Sequence, residues 1–407
     1  MSILKGIRAK VKRFKKIFED NWLNFTLLHP RYRTDYYNAE INKMLDCGTD
    51  SGGFAVYKCL KCGKGNHKVN FSCKSKACPQ CGKRYSRESM EKIASKMFLG
   101  ISYRQVVLTM PEQLRIPFYN HTDQSLLYTS YMKASYNCLQ EVVQRMQQNK
   151  LLKIACISFI HTHGRNGTHN PHIHVVLGEG GFNLVTEEWV NFKKIPLSLL
   201  RTTWQKHLLR LTIEILKKPE LAKQLEAAYP GGFYAHPGDK HRVPTKSYNG
   251  LIRYLTKYLS APPIGVSKIV DYNNDEVEFY YQSHKTKQIE YETLDTMTFI
   301  GRMVQHILPK GFQRVRYYGL QATNSFKKWY EAIAKSAGDL IEATISYVSR
   351  IKYADLFKEV SNINPLQCQS CKSEMELIQL YHPSRGMFFD LLTNIVITNN
   401  KLCVKIP

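Results

Sequence analysis

Six of the eleven cysteines in this 407-residue chain fall between Cys47 and Cys81, in a stretch rich in Gly and Lys and free of long apolar runs. Such a segment cannot bury enough apolar surface to fold by itself. Residues 47–90 are therefore expected to form a small domain that uses metal in place of a core. Within it, Cys59-x2-Cys62 is followed after fifteen residues by Cys78-x2-Cys81. Two CxxC knuckles at that separation have zinc-site spacing, since each knuckle presents two thiolates about one ligand edge apart. Their four sulfurs are expected to close one tetrahedron around a structural Zn2+. Cys47, His67 and Cys73 are spare donors that could share a second ion, replace a ligand or simply be buried. Cys368-x2-Cys371 is half a knuckle that His382 or Cys403 could complete, and it is read as unligated. An odd cysteine count without an apolar signal-peptide core near the start argues against an exported disulfide framework.

Lys and Arg number 58 against 33 acids, a formal net charge of +25. An excess of that size calls for a polyanionic partner, nucleic acid before an acidic membrane surface. Nine Lys or Arg and no acid lie between Lys58 and Arg87, which makes Lys74, Lys76, Lys83 and Arg84 candidate DNA contacts. Ahead of them, residues 1–30 carry Lys5, Arg8, Lys10, Lys12, Arg13, Lys15 and Lys16 before the first acid, Glu19. Ile3, Ile7, Val11, Phe14 and Ile17 interleave at helical spacing, the pattern of a basic amphipathic helix. That helix is either a solvated face over a core or an arm that grips phosphates. A hydrophobic fraction of 43% with 12% aromatics excludes wholesale disorder. No apolar run is long enough to span a bilayer, and the chain is expected to be soluble and cytoplasmic, with no membrane partner.

From about residue 100 the texture changes to alternating strands and helices. Residues 104–110 read as a buried strand stopped by Pro111, 122–148 as a helix, and 154–163 with 172–177 as a hairpin joined by a Gly/Asn turn. Residues 185–227 and 247–260 read as mainly helical, 277–281 with 288–291 as a second hairpin, and 298–307 as a helix. Two constellations stand out. His172-Ile173-His174 puts two imidazoles on one strand face, and His161 and His163 share a face of the preceding strand. Two or three neutral imidazoles with open positions suit a catalytic rather than a closed metal site. Tyr254-x3-Tyr258 puts two phenols one helical turn apart, beside an apolar stripe of Leu251, Leu255 and Leu259.

Taken together, these residues resemble the rolling-circle, two-tyrosine HUH transposases of bacterial insertion sequences and their ISCR-type relatives. The resemblance runs over roughly residues 20–320. It is carried by Ser72-Cys73-Lys74-Ser75-Lys76-Ala77-Cys78-Pro79-Gln80-Cys81, Val106-Val107-Leu108-Thr109-Met110-Pro111, His161-Thr162-His163-Gly164 and Pro171-His172-Ile173-His174. The paired tyrosines and Gln305-His306-Ile307-Leu308-Pro309-Lys310-Gly311-Phe312-Gln313-Arg314-Val315-Arg316-Tyr317-Tyr318-Gly319 complete it.

The resemblance implies an α+β chain: an HUH-endonuclease fold, with a central antiparallel sheet flanked by helices, preceded by a small zinc-binding domain. The domains would be 1–100 (basic helix and zinc-binding DNA-contact domain), 101–320 (catalytic) and 321–407 (a C-terminal helical and basic region). His172 and His174 match the pair that binds a catalytic Mg2+ or Mn2+. His161 fits the family pattern as third ligand, and His163, where relatives usually carry an aromatic residue, is the alternative. Tyr254 and Tyr258 match the nucleophiles that nick single-stranded DNA through a 5′-phosphotyrosine, and Lys310, Arg314 and Arg316 join the DNA contacts. Single-stranded transposon ends and target DNA would be the partners. The rival readings are a rolling-circle replication initiator, a non-catalytic zinc-dependent DNA-binding protein, and a zinc hydrolase that makes no tyrosine adduct.

Overall fold

The computed structural model describes residues 2–79, 81, 93–98, 101–192, 194–238, 262–283, 286–336, 364–391, 395–398 and 401–404. Helices α1 (Ser2–Leu28) and α2 (Asp35–Leu45) precede strands β1 (Phe54–Lys58) and β2 (Asn66–Asn70). Strand β3 (Tyr103–Thr109), the short α3 (Arg115–Asn120) and the long α4 (Gln124–Met146) follow. Next come β4 (Leu152–Lys153), β5 (Ala155–His163), β6 (His169–Gly178), β7 (Gly180–Asn183) and β8 (Trp189–Asn191). Helices α5 (Leu197–Glu214) and α6 (Pro219–Ala228) lead to β9 (Ala235–His236), β10 (Ile269–Tyr272), β11 (Glu276–Gln282) and β12 (Ile289–Asp295). The described chain closes with α7 (Thr296–Val304), β13 (Val315–Gly319), α8 (Thr323–Ser336), β14 (Glu376–His382), β15 (Gly386–Asp390), β16 (Ile395–Thr398) and β17 (Lys401–Val404). Every described strand pair is antiparallel, and the fold class is α+β.

Two compact units emerge, one made of residues 1–84 and 347–407, the other of 85–346. The stretch 321–407, expected to stand apart, is divided between them. Helix α8 buries Ile333 in the core of the second unit, whereas β14 pairs with β1, Phe54 opposite Tyr381, in the first.

In the first unit the apolar stripe of α1 buries Phe14, Ile17, Phe18 and Phe25. Trp22 Nε1 donates to Asn38 Oδ1 of α2 at 2.9 Å. Lys15, one of the basic residues expected on an open arm, instead donates through Nζ to the carbonyls of Leu45 (2.6 Å) and Cys47 (2.5 Å). It thereby caps the carbonyl end of α2, where a cation is favoured. The sheet of this unit runs β17-β16-β15-β14-β1-β2.

The second unit is organised by a sheet of order β13-β5-β6-β3-β9. Side chains alternate across a strand, and both faces are covered along much of its length. Val106, Leu108, Cys156, Ile160, Ile173, Val175 and Leu177 pack with α4 and α5, where Tyr131, Leu139, Val142 and Trp204 are buried. On the opposite face Tyr103, Ala155, Ile157, Phe159 and Val176 meet Phe98, Phe182, Leu320 and Ile333. Burial lapses at one end only. β5 is buried from Ala155 to Ile160 and half-open at His161 and His163, while β6 alternates from Pro171 to His174 and is buried throughout from Val175. The sheet is therefore less deeply buried at this end, and the histidines stand there.

The expected helix over 185–227 begins later than the sequence suggests. Trp189–Asn191 pairs with β7 as a strand, since the indole packs directly over Gly180, where an added Cβ would lie 2.5 Å from Trp189 Nε1. The helix starts after Pro196. At the far end of β3 and β6, Arg104 and Glu179 form a buried ion pair at 2.6 Å, with side chains 1% and 8% exposed. Removing one partner of such a pair leaves an uncompensated charge in the core. Glu179→Ala should cost about 3–5 kcal/mol of stability, and adding Arg104→Met should recover much of the loss; equal denaturant midpoints for the single and double variants would contradict this.

Candidate functional site

β5 and β6 pair with His161 opposite His172 and Phe159 opposite His174, and the register slips between His161 and His163. Two β6 residues, Asn170 and Pro171, answer the single Thr162 on β5 there, which is a bulge. Proline has no N–H to give a central strand, and a bulge is where a sheet tolerates it. The buried hydroxyl of Tyr131 donates to the Pro171 carbonyl at 3.3 Å. The Asn170 carbonyl turns back to His172 Nδ1 at 2.8 Å. That bond places a proton on Nδ1 and makes Nε2 the unprotonated, ligating nitrogen of His172.

His161, His172 and His174 have ligating nitrogens within 4.8 Å of one another. Their ring centroids are 5.3 Å (161–172), 4.6 Å (161–174) and 4.9 Å (172–174) apart. The side-chain amide of Gln105, on β3, meets His174 Nδ1 at 2.6 Å. Turned oxygen-first, it accepts from Nδ1–H and makes Nε2 the ligating nitrogen in the same way. Burial drives the His161 imidazole well below its ordinary pKa, helped by charge on His174 and His172. Burial also brings His174 down to about 3, with charge on His172 and His163 adding to it. These rings are neutral at physiological pH, the form that ligates metal. Imidazole nitrogens grouped this closely suit Mn2+ better than Mg2+ as a divalent ion.

His163 is not in the trio. Its ring stacks on His161 at 5.8 Å and its Nδ1 lies 3.3 Å from the Gly164 carbonyl. Behind it, the buried His306 donates from Nε2 to the Gly167 carbonyl (2.7 Å), and its Nδ1 accepts from Thr162 Oγ1 (3.0 Å). Gln305 Nε2 (3.3 Å) and Arg302 (3.4 Å) donate to the Gly167 and Asn166 carbonyls, so the segment after α7 clamps the hairpin turn. Sequence reasoning quoted His306 and gave it no task; Gln105 and Asn170 were missed, since neither carries a local signal.

Of the expected DNA contacts, Lys74, Lys76 and Lys310 are exposed and Arg314 is half-buried. Lys76 Nζ donates to the Tyr36 hydroxyl at 2.9 Å. The Arg314 carbonyl accepts from Ile160 N at 3.2 Å, and its charge acts on His161. Arg316 packs inward instead, donating to Thr129 Oγ1 at 2.9 Å with its guanidinium over the Phe312 ring. Tyr254, Tyr258, Lys83, Arg84 and the expected helix 247–260 lie outside the described residues.

The four knuckle cysteines do not meet at one ion. Cys78 and Cys81 group with Cys47 and Cys73, and Cys59 and Cys62 group with Cys368 and Cys371. Strand geometry forbids the expected arrangement. Cys59 and Cys62 sit at the turn of the β1–β2 hairpin, whereas Cys47 and Cys73 flank its open end, five strand residues or about 17 Å away. In the first quartet Cys47 Sγ and Cys73 Sγ approach Cys81 Sγ at 3.4 and 3.6 Å. A disulfide needs about 2.05 Å, whereas a regular tetrahedron of ~2.3 Å Zn–S bonds has edges of about 3.8 Å. Hydrogen bonds from Cys47, then Cys73 and Cys78, drive Cys81 toward thiolate. His67, opposite Tyr57 on β2, belongs to neither quartet. Cys368 and Cys371, read from sequence as unligated, are ligand-spaced with Cys59 and Cys62 rather than with His382, and the Cys403 side chain lies outside the described residues.

Residues 17–110 match the IS91-type family described as "Transposase zinc-binding domain", and residues 155–328 match the Y2-type family described as "Putative transposase". The chain is 27% identical over 387 residues, 89% of this chain and 88% of the relative, to "Transposase for insertion sequence element IS801" of Pseudomonas savastanoi pv. phaseolicola. Both matched regions and this relative support a transposase function for the chain. It is also 25% identical over 362 residues, 84% of this chain and 88% of the relative, to "Putative transposase y4qJ" of Sinorhizobium fredii. No solved structure matches the transposase. The histidine trio falls within the transposase match and the first cysteine quartet within the zinc-binding match. A transposase acts on DNA, in keeping with the charge of +25. No described helix is long and apolar enough to cross a membrane.

Depressed imidazole pKa values make the metal-free hairpin acid-sensitive. An unfolded histidine binds its proton near 6.5, whereas folded His174 resists it until about 3. The stability this gives is complete above about pH 6.5 and is lost as pH falls toward about 3. With metal chelated, the denaturant midpoint should fall over that window, and less steeply in His174→Gln; parallel curves for the two proteins would contradict the assignment.

Proposed function

We propose that this transposase nicks and joins single-stranded DNA through a phosphotyrosine intermediate, as the rolling-circle, two-tyrosine HUH enzymes do, on a site built from His161, His172, His174, Tyr254 and Tyr258. The observation that carries the proposal is the convergence of His161, His172 and His174, whose ligating nitrogens lie within 4.8 Å of one another. A divalent cation held by these three nitrogens would neutralise charge on the scissile phosphate. Tyr254 and Tyr258, four residues apart, are assigned from their spacing on one helix face.

In the proposed step a phenol, whose ordinary pKa is near 10, loses its proton as its oxygen attacks phosphorus. The P–O3′ bond breaks, the departing 3′ oxygen takes up a proton, and the 5′ phosphate stays on tyrosine. Rejoining is the reverse attack by a 3′-hydroxyl, which releases the phenol. One phosphodiester is exchanged for another, so no nucleotide triphosphate is consumed. The second tyrosine takes the other strand. His172 and His174 keep their ligating nitrogens aimed through the Asn170 carbonyl and the Gln105 amide. Arg314, beside His161, and exposed Lys310 supply positive charge for the DNA backbone. Lys74 and Lys76, with Lys83 and Arg84, supply it on the zinc-bearing unit.

Labelled single-stranded element ends incubated with the protein and Mn2+ should yield a covalent protein–DNA band that survives denaturation. The band should vanish in the Tyr254→Phe, Tyr258→Phe double variant and in His172→Ala; binding without an adduct in the native protein would overturn the proposal. Gln105→Leu should weaken Mn2+ binding by about 10–100-fold, read by electron paramagnetic resonance, with the far-UV dichroism unchanged. Native affinity in that variant would remove the orienting role of the amide.

A further inference from the structure

We propose that Cys59, Cys62, Cys368 and Cys371 form a second structural zinc site, a clasp that ties the C-terminal strands to the zinc-binding domain across the whole catalytic unit. This does not depend on the nicking chemistry proposed above. Two of its ligands lie beyond both matched regions, 17–110 and 155–328.

Sulfur geometry comes first. Cys59–Cys371 is 3.4 Å, Cys59–Cys62 3.6 Å and Cys62–Cys368 3.6 Å, and all four sulfurs lie within 4.8 Å of one another. These separations are far too long for disulfides and close to the edges of a Zn–S4 tetrahedron.

The two halves also repeat one turn. Gly63 N donates to the Cys59 carbonyl at 2.9 Å and Cys59 N to the Gly65 carbonyl at 2.9 Å. Across the site, Lys372 N donates to the Cys368 carbonyl at 2.9 Å and Cys368 N to the Ser373 carbonyl at 2.8 Å. The residue after the second cysteine is left-handed in both, Gly63 at φ 68° and Lys372 at φ 60°. For a lysine that conformation is uncommon, and it is the kind of local cost that clusters at functional sites.

Packing points the same way. A Cβ on Gly65 would stand 2.7 Å from Cys368 Sγ, so only glycine lets the two knuckles close. Cys59 and Cys368 are fully buried, yet among the described residues their apolar cluster adds only buried Met375 and half-buried Tyr57, Cys62 and Cys371. Thiols gathered without a core around them need another source of cohesion, and a four-thiolate set with no imidazole or carboxylate in it suits a closed zinc site.

The clasp joins residues 306 apart, Cys62 and Cys368, with residues 85–346 looped out between them. Closing so long a loop is entropically unfavourable. The site lies next to the β1–β14 pairing, where Lys58 faces Glu376. Bound metal would hold β14 on the edge of β1 and so complete the sheet of the first unit.

Cobalt titration of the full-length, metal-free transposase tests this, because thiolate-to-cobalt charge-transfer bands count thiolate sites and are silent at the histidine trio. The band should rise to a plateau at two cobalt per chain, matching the two quartets. In Cys368→Ser, Cys371→Ser it should stop at one, and limited proteolysis should then release the C-terminal strands. Cys47→Ser, Cys73→Ser should also stop at one while keeping those strands protected. A native plateau at one, a Cys368→Ser, Cys371→Ser plateau still at two, or visible iron absorption in the purified protein would each overturn the proposal. Should that double variant fail to fold, the native titration decides by itself.

Discussion

The pairing of β5 with β6 is the interaction on which the second unit depends. Both strands are buried on both faces for most of their length, so a slip of one residue would move every buried side chain to the wrong side of the sheet. That register carries forward unchanged to the last few residues, where the sheet is less deeply buried. His161, His172 and His174 therefore converge with no loop to position them, and the stability of the hydrophobic end holds the polar end in place. The Asn170–Pro171 bulge makes a local adjustment to this frame, turning a carbonyl onto His172. Gln105 does the equivalent for His174 from the neighbouring strand.

A different source of order governs the first unit. Its strands are short and its cysteine-rich loops bury little apolar surface, so sulfur groups at both ends of the β1–β2 hairpin take the place of a core. α1 contributes an aromatic face below and a lysine that caps α2 beside Cys47. Some of the positive charge counted in sequence is engaged in this way: Lys15 on backbone carbonyls, Lys76 on Tyr36, and Arg316 in the second unit on Thr129 and Phe312. Net charge signals a polyanionic partner, but it does not say which cations are available to it.

Legibility followed the range of the interactions. Strands at residues 104–110, 154–163 and 172–177, the hairpin between the last two and the helix at 122–148 could be read because period and turn residues are local signals. The helix over 185–227 was placed too early because Trp189 takes a strand conformation through its contact with Gly180, which no periodicity records. The histidine pair was readable from alternation. Its orienting partners were not, since a glutamine 69 residues upstream of His174 has no pattern to betray it. The same holds for the cysteines. Each CxxC was visible, but their pairing depends on which end of a hairpin each occupies and on a strand that returns some 300 residues later.

By itself the sequence determined which chemistry is present: cysteines in knuckles, histidines alternating along a strand, a Tyr-x3-Tyr spacing and a large basic excess. It also determined the α+β character, because these are properties of neighbours along the chain. Tertiary structure alone decided which donors lie together, which partner orients His172 and His174 and which cations already hold a partner. Those outcomes rest on distances between residues far apart in sequence, and such distances are set only when strand register and core packing bring the segments together.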